Sequence, residues 1–281
     1  MTAPDSSLAQ PVRAKTDATL KAPEGQVLLS CQALTRRWGG LIAVSEVSLA
    51  FERGKVHAVI GTNGAGKSTL INMLSGELRP SSGAVHLNGM DVTAWSQPRR
   101  AQAGLGRSYQ RNTIFPSFTV LENCRLAAQA RSPKPWRWWE AASNCPESLE
   151  RAHAAAQSAG LGQALTQTAG LLSHGQKRQL EIAMCLATEP SVLLLDEPLA
   201  GMGAEETERM LALLDSLRDE HAILLVEHDM DAVFRIADQI SVMVNGSVIA
   251  SAPPDEVRQN PQVQAAYLGG HEQTPIRPEN R

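Results

Sequence analysis

The densest chemistry in the chain lies in nine consecutive residues, Gly61, Thr62, Asn63, Gly64, Ala65, Gly66, Lys67, Ser68 and Thr69. Glycine at the first and sixth places followed by Lys-Ser is the G-x-x-x-x-G-K-[ST] spacing, set between an apolar run at 56–60 and a helical pattern at 67–74. Glycines in such a loop let successive N–H groups converge on phosphate oxygens with no Cβ in the way. The helix behind them adds about half a positive charge at the same point. Lys67 is then placed to reach β- and γ-phosphates, and the Ser68 hydroxyl to ligate Mg²⁺. The spacing and its context predict a nucleotide site.

Two further apolar runs end on acids. Residues 192–195 lead into Asp196-Glu197-Pro198, and residues 222–226 into Glu227-His228. A buried strand delivering an acid at its C-terminal end puts Asp196 beside the phosphate loop, where it can hold Mg²⁺ through the metal's water shell. Glu197 points elsewhere and suits a general base acting on the water that attacks the γ-phosphate. His228 ends a core strand facing the same place and can hydrogen-bond the γ-phosphate or that water. A third segment, Leu172-Ser173-His174-Gly175-Gln176, opens a helix that begins near Gln176, with Ser173 as N-cap and Leu180, Ile182, Ala183 and Leu186 at apolar positions. Spacing alone fits both a plain capped helix and a second anion-binding helix start.

The elements that must position these residues are short apolar runs bounded by turn residues, at 27–34, 47–51, 56–60, 84–87, 191–195, 222–226, 239–244 and 247–250. Those beginning at 56, 191, 222 and 239 are nearly continuous in apolar residues, as strands buried on both faces are. Asn245-Gly246 between the last two predicts a tight hairpin. Helical patterns fall at 67–74, 120–130, 149–159, 176–187, 205–217 and 229–236. The order predicts an α/β fold with a mainly parallel core and a small antiparallel sheet beside it. Residues 121–170 read as almost purely helical, a separate lobe.

The remaining composition excludes several classes. The 281 residues carry 26 Lys+Arg against 29 Asp+Glu, a net charge of −3, so no basic surplus exists to neutralise a nucleic-acid backbone. No apolar stretch approaches the ~20 residues of a spanning helix. Residues 1–26 lack the apolar core of a signal peptide and read as a disordered tail, as do 271–281, leaving one folded body over 27–270. Cys31, Cys124, Cys145 and Cys185 form no CxxC pair and read as scattered reduced thiols. Trp136, Trp138 and Trp139 cluster with Arg137 in the helical lobe; they fit a surface near a membrane partner as well as they fit simple packing.

Taken together and in this order, the motifs resemble those of the ATP-binding subunit of an ABC transporter, over nearly the whole body from 27 to 270. The resemblance implies a P-loop NTPase core, a small antiparallel β-subdomain and a helical subdomain at about 121–188. It implies ATP and Mg²⁺ as cofactors and ATP hydrolysis as the activity. Ser173, His174, Gly175 and Gln176 look like the signature that contacts the γ-phosphate of ATP bound to the opposite subunit. Gln110, within RSYQRNTIFPSFTVLEN, matches the Q-loop glutamine, which senses Mg²⁺ and the attacking water and connects to the membrane partner. His228 matches the switch histidine, and Trp38 sits where the family places a ring against adenine. Two positions depart from the commonest pattern: His174 replaces a glycine, and Leu199-Ala200-Gly201-Met202-Gly203 lacks the Ser and Asp of many relatives.

The runs LSHGQKRQLEIA, LLLDEPLAGMG, LLVEHDMDAVF, IFPSFTVLEN and AYLGG are similar to those of importers for branched-chain amino acids, urea and related amides. That likeness implies polytopic permease subunits, a second ATPase subunit in a homo- or heterodimer, and indirectly a substrate-binding protein. It places the chain on the cytoplasmic side of the inner membrane as a peripheral subunit. An ATPase of a lipid or lipopolysaccharide exporter and a soluble ABC-type assembly ATPase are the alternative readings.

Overall fold

The computed structural model describes residues 25–109, 113–131 and 146–268. In chain order the strands and helices are β1 (Val27–Trp38), β2 (Leu41–Glu52), β3 (Val56–Gly61), α1 (Lys67–Ser75), β4 (Ser82–Leu87), β5 (Met90–Asp91), α2 (Gln97–Gln102) and β6 (Leu105–Arg107). There follow α3 (Val120–Gln129), α4 (Pro146–Ser158), α5 (His174–Leu186), β7 (Val192–Asp196), α6 (Ala204–Leu217), β8 (Ala222–Val226), α7 (Met230–Ile236), β9 (Gln239–Val244), β10 (Ser247–Ala252), α8 (Pro254–Gln259) and α9 (Pro261–Leu268).

Strands β3, β7 and β8 are buried at every position, and their near-continuous apolar sequence is the reason they lie inside. They belong to a six-stranded sheet in the order β10-β9-β3-β8-β7-β6, parallel except for the hairpin of β9 and β10. Asn245 and Gly246 turn that hairpin with φ of 48° and 82°, the paired positive values a two-residue turn needs. A second, antiparallel sheet runs β2-β1-β4-β5. Leu29, Leu34, Val44 and Phe51 from this sheet join Leu70, Ile71 and Leu74 of α1 and Leu194 and Leu224 of the parallel sheet in one core. Helices α6 and α7 cover the opposite face of the parallel sheet through Met210, Leu214 and Ile236.

Several elements exceed or escape the periodicity. β1 and β2 extend to Trp38 and begin at Leu41, well beyond 27–34 and 47–51, because bulges between Cys31 and Arg37 break the alternation while the pairing continues. β5, β6, α2, α8 and α9 fall outside the expected runs, and all but α9 span six residues or fewer. β6 also contains Gly106, whose absent side chain leaves room for Leu193 and Pro190. At the N-terminal end, Gly25 and Gln26 hydrogen-bond Arg53, so backbone pairing reaches two residues before the expected boundary.

Helices α3, α4 and α5 share a separate core with Val120, Cys124, Leu161, Leu172 and Leu180, otherwise mostly alanine, including Ala152, Ala156 and Ala183. Capping boxes start two of them, Thr119 with Glu122 and Ser173 with Gln176. Within the stretch expected to be almost purely helical, the described residues after α4 form two short 3-10 turns, Gly162–Ala164 and Ala169–Leu171. Cys31, Cys124 and Cys185 are buried free thiols, pushed by burial to about 11, 12 and 12. Gln110, Cys145 and the tryptophans at 136, 138 and 139 lie outside the described residues.

The C-terminus of α1 has no basic residue of its own in its last turn. Arg100 of α2 supplies one from a distance. Its guanidinium, 1% exposed, donates to the carbonyls of Met73 (2.9 Å), Leu74 (2.7 Å) and Thr93 (3.1 Å). Burial draws it down to about 10, so it remains charged at neutral pH. A side chain at Gly76, which has φ of 84°, would collide with its Nε. Arg100→Met, similar in length but without donors, leaves Met73 O with only its 3.3 Å bond from Gly76 N–H and takes the charged donor from the Leu74 and Thr93 carbonyls, and should cost roughly 2–4 kcal/mol in a denaturant titration. A loss below about 0.5 kcal/mol would show that water replaces the guanidinium.

Candidate functional site

Three neighbouring parallel strands, β3, β8 and β7, release their chains at the same end of the sheet, with Val59 opposite Val226 and Val226 opposite Asp196. The phosphate loop, Glu227-His228 and Asp196-Glu197 therefore converge at the C-terminal edge of the sheet, where α/β folds place ligands.

The loop is held by backbone packing. Gly61 and Gly66 have φ of 157° and 102°; a Cβ at Gly61 would lie 2.3 Å from the Met243 carbonyl, and one at Gly66 2.4 Å from that of Ala43. Gly246 N–H donates to Ala65 O (3.0 Å), so the β9–β10 turn also buttresses the loop. Gly64, with open space around it, faces outward with Thr62, Asn63 and Ser68. Lys67 curls back over the loop, and its Nζ donates to Gly61 O (2.6 Å) and Thr62 O (3.2 Å). Burial draws its pKa below the usual lysine value, opposed by the nearby Glu197 and Asp196. Thr69 begins to turn inward on α1.

Asp196 is 8% exposed, and burial holds its carboxyl above the usual carboxylate range against the pull of Arg107 and Lys67. A cation would relieve that desolvation. With the Ser68 hydroxyl, Asp196 offers the all-oxygen donor set that suits Mg²⁺, an ion that takes few protein ligands and keeps water and phosphate oxygens.

Glu197 stands in the left-handed region at φ 52°, a conformation costing a non-glycine residue about 1–2 kcal/mol. Its N–H donates to Val226 O (2.9 Å), which fixes the turn and swings the side chain away from Asp196. Glu197 Oε1 and His228 Nε2 share a hydrogen bond of 2.6 Å. The imidazole is 44% exposed and the carboxylate 18%, so the pair sits at the mouth of the site rather than beneath it.

Glu227 has a different part, which its sequence position does not announce. It is buried, and its carboxylate accepts from Leu199 N–H (2.7 Å) and His228 N–H (3.0 Å). It thereby ties the turn after β7 to the turn after β8 and fixes both members of the Glu197–His228 pair. An acid next to a histidine at a strand end was its only signal.

Ser173 to Gln176 make their polar contacts with the segment after β7. Ser173 Oγ and Gly175 N–H both donate to Glu206 Oε1 (3.1 and 3.3 Å). The His174 ring is turned aside, with Nε2 donating to Ala200 O (3.0 Å), so its bulk does not cover the helix start. Gln176 closes the capping box on Ser173. Further along α5, Arg178 and Glu181 form a buried ion pair of 2.8 Å that grips both flanks of Gln110, through Tyr109 O (3.0 Å) and Thr113 N–H (3.1 Å).

Trp38 closes β1, 44% exposed, with the Arg36 guanidinium 4.8 Å from its ring centre. Its hairpin touches the phosphate loop through Ala43 O, which lies against Gly66.

Comparison with known proteins agrees with this geometry. Residues 44–200 match the family model for the ABC transporter, and residues 247–273 that for the branched-chain amino acid ATP-binding cassette transporter. The high-affinity branched-chain amino acid transport ATP-binding protein BraF of Pseudomonas aeruginosa is 38% identical over 251 residues, 86% of this chain and 98% of that protein. LivG of Escherichia coli, a protein of the same description, is 37% identical over 254 residues, 87% of this chain and 98% of its own. Among solved structures, the ADP conformation of MJ1267, an ATP-binding cassette of an ABC transporter, superposes with a TM-score of 0.77 at 28% identity, covering 87% of this chain and 99% of that one. A glycine cradle, two strand-end acids and a histidine in this arrangement, together with those matches over most of its length, establish that the chain belongs to the ABC transporter family of ATP-binding cassettes.

Proposed function

We propose that this cassette hydrolyses ATP to energise an importer for branched-chain amino acids or related amides, as one of two ATPase subunits beneath polytopic permeases. The Glu197–His228 hydrogen bond at the mouth of the phosphate loop carries the hydrolytic part of the reading. The transported class rests on likeness to BraF and LivG over nearly their whole lengths. No helix among the described residues is long and apolar enough to cross a membrane. A substrate-binding protein would supply the solute, and the working position is the cytoplasmic side of the inner membrane.

In this reading residues 61–69 bind the ATP phosphates, with Lys67 exchanging its two carbonyl partners for β- and γ-oxygens. Ser68, Asp196 and Gln110 hold Mg²⁺, which when bound neutralises charge on the phosphates. Glu197 accepts the proton released as the water oxygen bonds to the γ-phosphorus and the bond from that phosphorus to the β–γ bridging oxygen breaks, releasing ADP. His228 holds one oxygen of that carboxylate and lies within reach of the γ-phosphate once it enters. Trp38 stacks on the adenine. Ser173, His174, Gly175 and Gln176 serve the nucleotide of the opposite subunit, Ser173 Oγ and the start of α5 meeting its γ-phosphate. Two cassettes arranged head to tail then close two sites around two nucleotides.

Lys67→Ala should abolish ATP binding, whereas Glu197→Gln should bind ATP as the parent does and lose about 10²–10⁴-fold in turnover. Nucleotide affinity and phosphate release measured on each variant check both; parental turnover in Glu197→Gln removes Glu197 as the base.

Trp38→Ala should weaken ATP by about 1–3 kcal/mol, with Trp38→Phe recovering most of it. Equal affinities for the parent and the Ala variant would return the ring to a packing role.

Expressed with its permeases, the chain should sediment with membranes, and solute uptake by the vesicles should stop in Glu197→Gln. Membrane association without the permeases, or lipid export in place of uptake, would favour another branch of the family.

A further inference from the structure

The carboxylate of Glu206 occupies the start of the signature helix. It stands in the first turn of α6, whose N-cap, Gly203, brings no side chain of its own. Its Oε1 accepts from both Ser173 Oγ (3.1 Å) and Gly175 N–H (3.3 Å). The neighbouring residues make the space for it. His174 is turned onto Ala200 O, and Gly175 has no Cβ where one would lie 2.8 Å from Oε1 and 2.9 Å from Cδ. The contact is charge-assisted, yet both distances exceed the 2.7–2.9 Å of a tight ionic hydrogen bond, so the carboxylate is held loosely. An anion at this point gains from the partial positive charge at two helix starts, those of α5 and α6.

We infer that Glu206 is a specificity-determining residue of the dimer site: it holds the phosphate position of the signature until a γ-phosphate displaces it. The inference rests on the reading that residues 173–176 receive the nucleotide of a second cassette. One hydroxyl and one N–H cannot serve a carboxylate and a phosphate at the same time, and the two anions repel. Closure therefore requires a ligand whose charge at this point exceeds that of one carboxylate. ATP presents a γ-phosphate there. ADP ends one phosphate short, brings no group to displace the carboxylate, and leaves the signature satisfied within its own chain. Glu206 thus raises the ATP concentration needed for closure and widens the margin between the two nucleotides.

The test uses the full chain in the Glu197→Gln background, with Mg²⁺, following the monomer–dimer shift by light scattering as ATP is raised. Adding Glu206→Gln, which keeps the shape and removes the charge, should lower the half-saturating ATP by about threefold or more, the effect of one helix-terminal charge at each of two sites. Glu206→Asp should return the midpoint toward the parent, and added salt should narrow the difference between the charged and neutral forms. Glu206→Ala should match Glu206→Gln, so loss of folding in one variant does not decide the matter. A midpoint that is unchanged or rises in both neutral variants overturns the inference while leaving the dimer reading intact. Absence of a dimer in every protein, alone and with a second cassette of the same transporter, overturns the dimer reading and this inference with it.

Discussion

Two carbonyl oxygens pressed against two glycines set the position of nearly everything else. Met243 O approaches Gly61 from the parallel sheet, and Ala43 O approaches Gly66 from the antiparallel one, each leaving no room for a Cβ. The phosphate loop is therefore wedged between two sheets that share a core, rather than hung from the end of one strand. α1 leaves the loop in a fixed direction, and Arg100 secures its far end. A helix fastened at both ends presents its first N–H groups to a phosphate without reorganising, which is what makes an electrostatic cradle effective.

Four ionisable side chains at one sheet edge are separated into roles by their surroundings. Asp196 is buried and raised, suited to a cation that would offset its desolvation. Glu227 is buried too, but two backbone N–H groups satisfy it and commit it to holding turns. Glu197 is nearer solvent, in a strained backbone conformation with one oxygen on a histidine. That contrast between neighbouring carboxylates would let one site keep the proposed metal ligand, a scaffold and the proposed base distinct. Strain at Glu197 is sustained because Val226 and Glu227 hold the surrounding turns.

What the sequence revealed was what local spacing encodes. The phosphate loop, the two strand-end acids, the Asn245-Gly246 hairpin and the Ser173 cap all follow from residues within a few positions of one another. Residues whose partners lie far along the chain stayed hidden. Arg100 caps a helix more than twenty residues away, Glu227 holds Leu199, and Glu206 reaches back to Ser173; none of these belongs to a short pattern. β6 was concealed for a different reason, since a three-residue strand with glycine at its centre has neither length nor propensity to signal it. His174, which departs from the commonest signature pattern, proves to be a side chain with its own acceptor.

The core of the helical lobe has a consequence for how such a chain can diverge. Ala152, Ala155, Ala156, Ala159, Ala183 and Ala187 fill it with methyl groups, and a methyl group has no rotamers with which to absorb a neighbour's change in volume. Enlarging any of these residues forces backbones apart, so the interior has one arrangement open to it. Novelty in this lobe must be written on its outer surface, where a substitution can change what the lobe meets without disturbing how the lobe itself is built. The lobe is in that sense a fixed block with an editable face, and descendants of one ancestor could diverge there while keeping every internal contact.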